Sequence, residues 1–197
     1  MYVIWNFIFN MNVFDFDGTI YDGDSSIDFW LFCLKNDISL IRFFPLQLTG
    51  FFLYKCRVID KKKFKTLFFK FLCGIKNINN SIVAFWNTND IKIKKWYKDI
   101  HSAGDCIVSA SPIFLLNVIC KKIGINNLIA TSMNKRTGEI IGKNCYGNIK
   151  SELFKEKFAT VKIENFYSDS KSDLPIALLA KQAYFVKKNK IRVWDFT

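Results

Sequence analysis

Three short apolar runs, each ending on a residue able to do chemistry, constrain this chain more than any other feature. Asn12-Val13-Phe14 runs into Asp15, Cys106-Ile107-Val108 into Ser109, and Asn165-Phe166-Tyr167 into Ser168-Asp169. Unbroken apolar runs of this length read as strands buried on both faces, the mark of a parallel sheet. A helix fits between the later runs: Ser111 reads as its N-cap, Pro112 as its first position, and Gly124 as its stop after Ile123. Strand, helix and strand in alternation predict an α/β fold, a Rossmann-like parallel sheet flanked by helices. In such sheets ligands bind beyond the carboxyl ends of the strands, where Asp15, Ser109 and Asp169 would gather.

The stretch from Tyr21 to Ala103 differs in character, with helical runs rich in Phe, Leu and Lys such as Lys61 to Leu72. It predicts a helical cap inserted between the first two core strands, leaving residues 11–20 and 104–197 as the core. Within it, Ile41 to Tyr54 is strongly apolar but is interrupted by Arg42, Pro45, Gln47 and Gly50 and falls short of a bilayer span, so it reads as a buried pair of cap helices. The same composition allows contact between the cap and a membrane surface. Ile129-Ala130-Thr131 and Glu139-Ile140-Ile141 read as a hairpin around Asn134 to Gly138, and Ala183 to Val186 with Ile191 to Trp194 as two strands closing the sheet edge. Residues 1–10 form an N-terminal extension without a secretory pattern, and Met11 is the expected physiological start.

The 197 residues carry a formal charge of +12. That excess permits contact with a polyanion, but it comes mostly from Lys in a chain generally enriched in Lys, Asn, Ile and Phe, so no nucleic-acid partner is expected. Six scattered cysteines without a CxxC pair, and a single His, exclude a zinc site and suit a reducing compartment, the cytoplasm. His101 reads as a surface or linker residue.

Asp15-Phe16-Asp17-Gly18-Thr19 places two carboxylates two residues apart at a strand end, before a glycine that permits a tight turn. One acid could attack phosphorus while the other handles the proton of the leaving group, provided their environments differ. A phosphate dianion repels such a nucleophile, so the site needs cations, and Mg²⁺ with oxygen ligands meets that need. Asp169 fits a metal ligand. Asp173, one helical turn on, fits a group that holds metal-bound water or a lysine. Ser109, the Ala110 amide after it, and Gly18 are candidates for contact with phosphate oxygens.

The combination resembles the haloacid dehalogenase superfamily, in its branch of phosphoserine phosphatase and other small-cap phosphatases, across most of Met11 to Trp194. The resemblance implies Asp15 as nucleophile and Asp17 as general acid and base, its backbone carbonyl also offered to Mg²⁺. It implies Ser109 as phosphate binder and Asp169 with Asp173 as the fourth motif, with Ser168 standing where the family often has Gly. The third motif is a lone lysine, implied at Lys150 with Lys143 as the alternative, and Asp24 stands at the offset of an acid that reads the substrate's amine. The expected activity is Mg²⁺-dependent hydrolysis of a small phosphomonoester through an aspartyl phosphate. A phosphotransferase or mutase using the same intermediate, or a basic nucleic-acid- or lipid-binding module, are the alternatives. The oligomeric state is left open.

Overall fold

The computed structural model describes residues 10–196; the leading segment, and with it the question of the start at Met11, lies outside them. Six strands form one sheet: β1 (Asn10–Phe14), β2 (Cys106–Pro112), β3 (Asn127–Thr131), β4 (Lys162–Ser168), β5 (Ala180–Lys187) and β6 (Lys190–Val193). Their order is β3-β2-β1-β4-β5-β6, all parallel except the β5–β6 pair. The two edge strands read from Ala183 onward are therefore present, and they pair antiparallel with Tyr184 opposite Val193.

Alternation along the strands builds two cores, because successive side chains point to opposite faces. Phe14 and Ile107 belong to a cluster that also takes Phe16, Tyr21, Trp86 and Leu115. Val13, Cys106, Val108 and Phe166 belong to the other, with Phe154 and Ile176. Helices cover both faces: α6 (Ile113–Lys122), α7 (Asn148–Lys157) and the short α8 (Leu174–Ala177) connect the later strands. This is the expected Rossmann-like α/β fold.

Between β1 and β2 the chain is helical: α1 (Ser25–Asn36), α2 (Phe44–Lys55), α3 (Lys61–Phe68), α4 (Ile78–Asn89) and α5 (Lys95–Ile100), with 3₁₀ turns at Ile38–Phe43, Phe69–Gly74 and Asp90–Lys92. The run read as one helix from Lys61 to Leu72 thus tightens at Phe69, where Phe69, Phe71 and Leu72 are all buried. An α-helix shows one stripe to a core, and burying three of four successive residues suits the tighter turn. The insert returns to the core through Lys94, whose N–H donates to the Ile20 carbonyl at 2.8 Å and whose ammonium donates to Gly18 O at 2.5 Å and Lys188 O at 2.8 Å.

Three local readings need correction. Pro112 is still strand, pairing with Thr131, and α6 starts at Ile113 without a side-chain cap, so Ser111 is free for another task. The hairpin around Asn134 reduces to a single bridge, Met133 to Ile140, because Thr131 ends a strand already committed to β2. The apolar segment Ile41 to Tyr54 is a 3₁₀ turn and one helix, and it is not buried as a pair: Ile41, Phe44, Leu48, Phe51 and Phe52 face water.

Candidate active site

The chain runs from central β1 to β2 on one side and later to β4 on the other, so the strand order reverses beside β1. A crevice opens there by construction, since the connections leave the sheet in opposite directions. Asp15 follows β1 and is held by its N–H on Tyr167 O of β4 at 2.9 Å. Ser109 sits in β2 and Asp169 follows β4. All three line one cleft of about 390 Å³ with Asp17, Asp173 and Lys150.

Lys150 anchors the floor. It projects from the first turn of α7, is 2% exposed, and donates to Asp15 Oδ1 at 2.5 Å and Asp173 Oδ2 at 2.7 Å. Burial works against its charge, but the two carboxylates outweigh burial and raise its pKa above the ordinary lysine value. The alternative, Lys143, lies at the surface with Glu152 and Glu156. Asp173 also accepts from Ser168 Oγ at 2.7 Å, and Ser168 Oγ in turn accepts the Ser170 N–H at 3.0 Å. A glycine at position 168 could not make either bond.

Thr19 joins the two carboxylates expected to meet a cation. Its hydroxyl oxygen lies 3.2 Å from Asp15 Oδ2 and 3.5 Å from Asp169 Oδ1, and it accepts the Asp169 N–H at 2.9 Å. Gly18 makes this approach possible: at φ +75° a Cβ would sit 2.0 Å from Asp169 Oδ2. Gly18 does not serve as a phosphate donor, however, because its N–H points at the carbonyls of Tyr21 and Gly23 at 3.0 and 2.9 Å.

Asp17 occupies a different environment. One carboxylate oxygen accepts the Ser25 N–H at the start of α1 and the other accepts Ser111 Oγ–H, both at 2.6 Å. Its carboxylate is thus turned away from the Asp15–Asp169 pair, and only its main-chain carbonyl is left as the ligand named for it. Among the described residues no three His, Cys, Asp or Glu side chains form a metal cluster. Burial raises the pKa of Asp15 to about 7, against the pull of Lys150, and that of Asp17 to about 6, with Asp24 adding to the rise. Asp169 is raised by burial as well.

Ser109 Oγ accepts the Ser111 N–H at 3.0 Å, and Ala110 O accepts Thr131 Oγ1–H at 2.6 Å. Asp24 lines the cleft and, as the N-cap of α1, accepts the Ser26 and Ile27 N–H groups on its Oδ1. His101 bonds the carbonyls of Lys98 and Ile123, away from the cleft. Two residues escaped the sequence reading. Ser111 looks like a helix cap in one dimension. Lys65, on α3, looks like a solvated lysine among lysines, yet its ammonium reaches Ala110 O and lies 3.3 Å from Asn144 Oδ1 in the cleft wall. Burial lowers its pKa to about 8.

The family described as haloacid dehalogenase-like hydrolase matches residues 13–178. A search of curated proteins gave no match. Among solved structures, a protein of unknown function from Bordetella pertussis Tohama I is similar with a TM-score of 0.73 at 20% identity, covering 89% of this chain and 88% of that one. A phosphoserine phosphohydrolase-like protein from Francisella tularensis subsp. tularensis SCHU S4 gives 0.54 at 18% identity, with 88% and 85% covered. A probable phosphoserine phosphatase from Vibrio cholerae gives 0.58 at 11% identity, with 88% of this chain and 55% of that chain covered. Likeness at these identities establishes the fold.

Proposed function

Since the chain belongs to the haloacid dehalogenase-like hydrolases, we propose that it is a phosphatase for small phosphomonoesters, with Asp15 as its covalent nucleophile. The observation that carries this reading is the placement of Asp15: 6% exposed, fixed on Lys150 at 2.5 Å, and opening onto the same cleft as Ser109 and Asp169. With Lys150 on Oδ1 and the Thr19 hydroxyl 3.2 Å from Oδ2, the carboxylate is set in one orientation before a substrate arrives. Asp17, with a pKa of about 6, retains a protonated fraction near neutrality and can give its proton to the leaving alkoxide and later take one from water. Its two short hydrogen bonds aim that carboxylate. Ser109, with the Ala110 amide after it, is assigned to the phosphate oxygens.

The donor set fits Mg²⁺: the carboxylates of Asp15 and Asp169 meet at the Thr19 hydroxyl, and the Asp17 carbonyl would complete the protein's share of hard oxygen ligands. When bound, Mg²⁺ would offset the repulsion between the substrate dianion and Asp15. Asp173 acts through Lys150 and holds its ammonium over the nucleophile. Lys61 and Lys65 line the wall contributed by the insert, which suits an anionic substrate closed in by a helical cap. Free thiols at all six cysteines agree with a cytoplasmic enzyme.

The test is phosphate release from a panel of phosphomonoesters with and without Mg²⁺, run beside Asp15→Asn. Release that requires Mg²⁺ and is lost in the variant, at unchanged circular dichroism, is expected. Release that survives in Asp15→Asn would remove Asp15 from the nucleophile's role.

A further inference from the structure

Helix α2 packs its inner face on α3: Gln47 donates to Phe68 O at 2.9 Å, Tyr54 stacks on Phe64, and a Cβ on Gly50 would stand 3.1 Å from Leu67. The outer stripe repeats at three and four residues through Ile41, Phe44, Leu48, Phe51 and Phe52, from the 3₁₀ turn into the helix, and these side chains are 42 to 57% exposed. A helix of a globular protein normally shows charge on that side. A contiguous row of Phe, Leu and Ile facing water marks a surface that has a partner.

The charge around the stripe decides which partner. From Phe29 to Asn89 the chain carries ten Lys and Arg against two acids, Asp37 and Asp60, and both acids are spent as helix N-caps. Of the ten, Lys62, Lys65 and Lys70 bond to the sheet side, while Lys35, Arg42, Lys55, Arg57 and Lys63 are exposed. Lys55 holds its ammonium 5.4 Å from the centre of the Phe51 ring, so a cation stands directly beside the apolar row. Two copies of such a face would bring like charges together. A sheet of anionic headgroups above an acyl layer complements both the cations and the apolar row.

We propose that α2 and the 3₁₀ turn before it form a docking face for the surface of an anionic lipid bilayer. The helix has 12 residues, about 18 Å at 1.5 Å per residue, against a hydrocarbon core of about 30 Å. It therefore lies in the headgroup layer and does not cross; among the described residues no helix is long and apolar enough to span a membrane. The docking is independent of the chemistry assigned to the cleft, and α3, packed on the inner side of α2, links the docked face to the cleft wall through Lys65.

The experiment is co-sedimentation of the full chain with vesicles of phosphatidylcholine alone or mixed with phosphatidylglycerol, at low and high salt. The variants are Leu48→Ser/Phe52→Ser and Lys55→Glu/Lys63→Glu. Binding to the mixed vesicles is expected, falling about tenfold or more in either double variant, in high salt and on phosphatidylcholine alone. Circular dichroism should stay unchanged, since all four side chains are on the surface. Wild-type protein left in the supernatant with anionic vesicles, or variants that bind as well as the wild type, would overturn the proposal. So would a concentration-dependent dimer, seen by sedimentation velocity without lipid, that Leu48→Ser/Phe52→Ser dissolves, because that result gives the face to a second copy.

Discussion

At the scale of single residues, Lys150 holds the site together by carrying one charge between two buried carboxylates. Its ammonium is the partner of both Asp15 and Asp173, and each of the three is at most 6% exposed. Removing one member of a buried ion cluster leaves the others desolvated and uncompensated, which costs about 3–5 kcal/mol. Lys150→Met is therefore expected to lose about that much stability at neutral pH in urea unfolding of the metal-free protein, as well as its turnover. A loss below 1 kcal/mol, on the order of an exposed pair, would show that the two acids have simply taken up protons. The carboxylates of this cluster are legible in the sequence, because Asp15 and Asp17 flank Phe16 before a glycine and Asp169 and Asp173 stand one turn apart. Ser111 is not legible in the same way. Its position before a proline matches a local capping rule, and the partner that overrides the rule, Asp17, is 94 residues distant. Gly18 is a second case. A glycine after an acidic pair fits an anion-binding turn as well as a close-approach turn, and only the Asp169 carboxylate lying where its Cβ would be distinguishes them.

At the scale of elements, the strands and the alternation of helices follow from apolar runs and turn residues, while helix lengths and the loop after β3 follow from contacts. The loop at Asn134 to Gly138 shows the difference. It was expected to close a hairpin, but it packs on the insert: a Cβ at Gly138, at φ +72°, would lie 2.4 Å from the backbone oxygen of Phe69. Gly142 has nearly the same φ, +75°, with nothing within 4 Å of a Cβ. The pair makes a controlled test. Gly142→Ala should cost only the left-handed backbone strain, about 1 kcal/mol. Gly138→Ala must also displace the turn at Phe69, and is expected to cost at least about 2 kcal/mol by chemical denaturation. Equal losses would mean that the loop does not bear on the insert.

At the scale of the whole molecule, lysines fasten the helices between β1 and β2 to the sheet and its loops. Lys62 donates to Gly142 O at 2.8 Å, Lys65 to Ala110 O, Lys70 pairs with Glu139 at 3.2 Å, and Lys94 spans Gly18 and Lys188. Part of the +12 charge is thus engaged between these helices and the sheet. Lys65 makes this measurable through pH. Burial holds its folded-state pKa at about 8, below the ordinary 10.5, so between those values the unfolded chain binds a proton that the folded chain does not. Stability then rises with pH across that window, and the cost of the buried charge is felt in full below it. Urea midpoints at about pH 7 and about pH 10 should show the wild type gaining relative to Lys65→Met as pH rises. A constant difference would mean that Lys65 titrates as a solvated lysine.

The sequence by itself determined the fold class, the helical insert between the first two strands and the acidic pairs, because each is written in neighbouring residues: hydrophobic runs, their period, and carboxylates at fixed spacing. Only the tertiary structure decided which lysine meets Asp15, that Ser111 serves Asp17, that Gly18 yields its space to Asp169, and that the outer stripe of α2 is left facing water. Those outcomes depend on groups brought together across tens to more than a hundred residues, and local pattern carries no information about what lies on the other side of a fold.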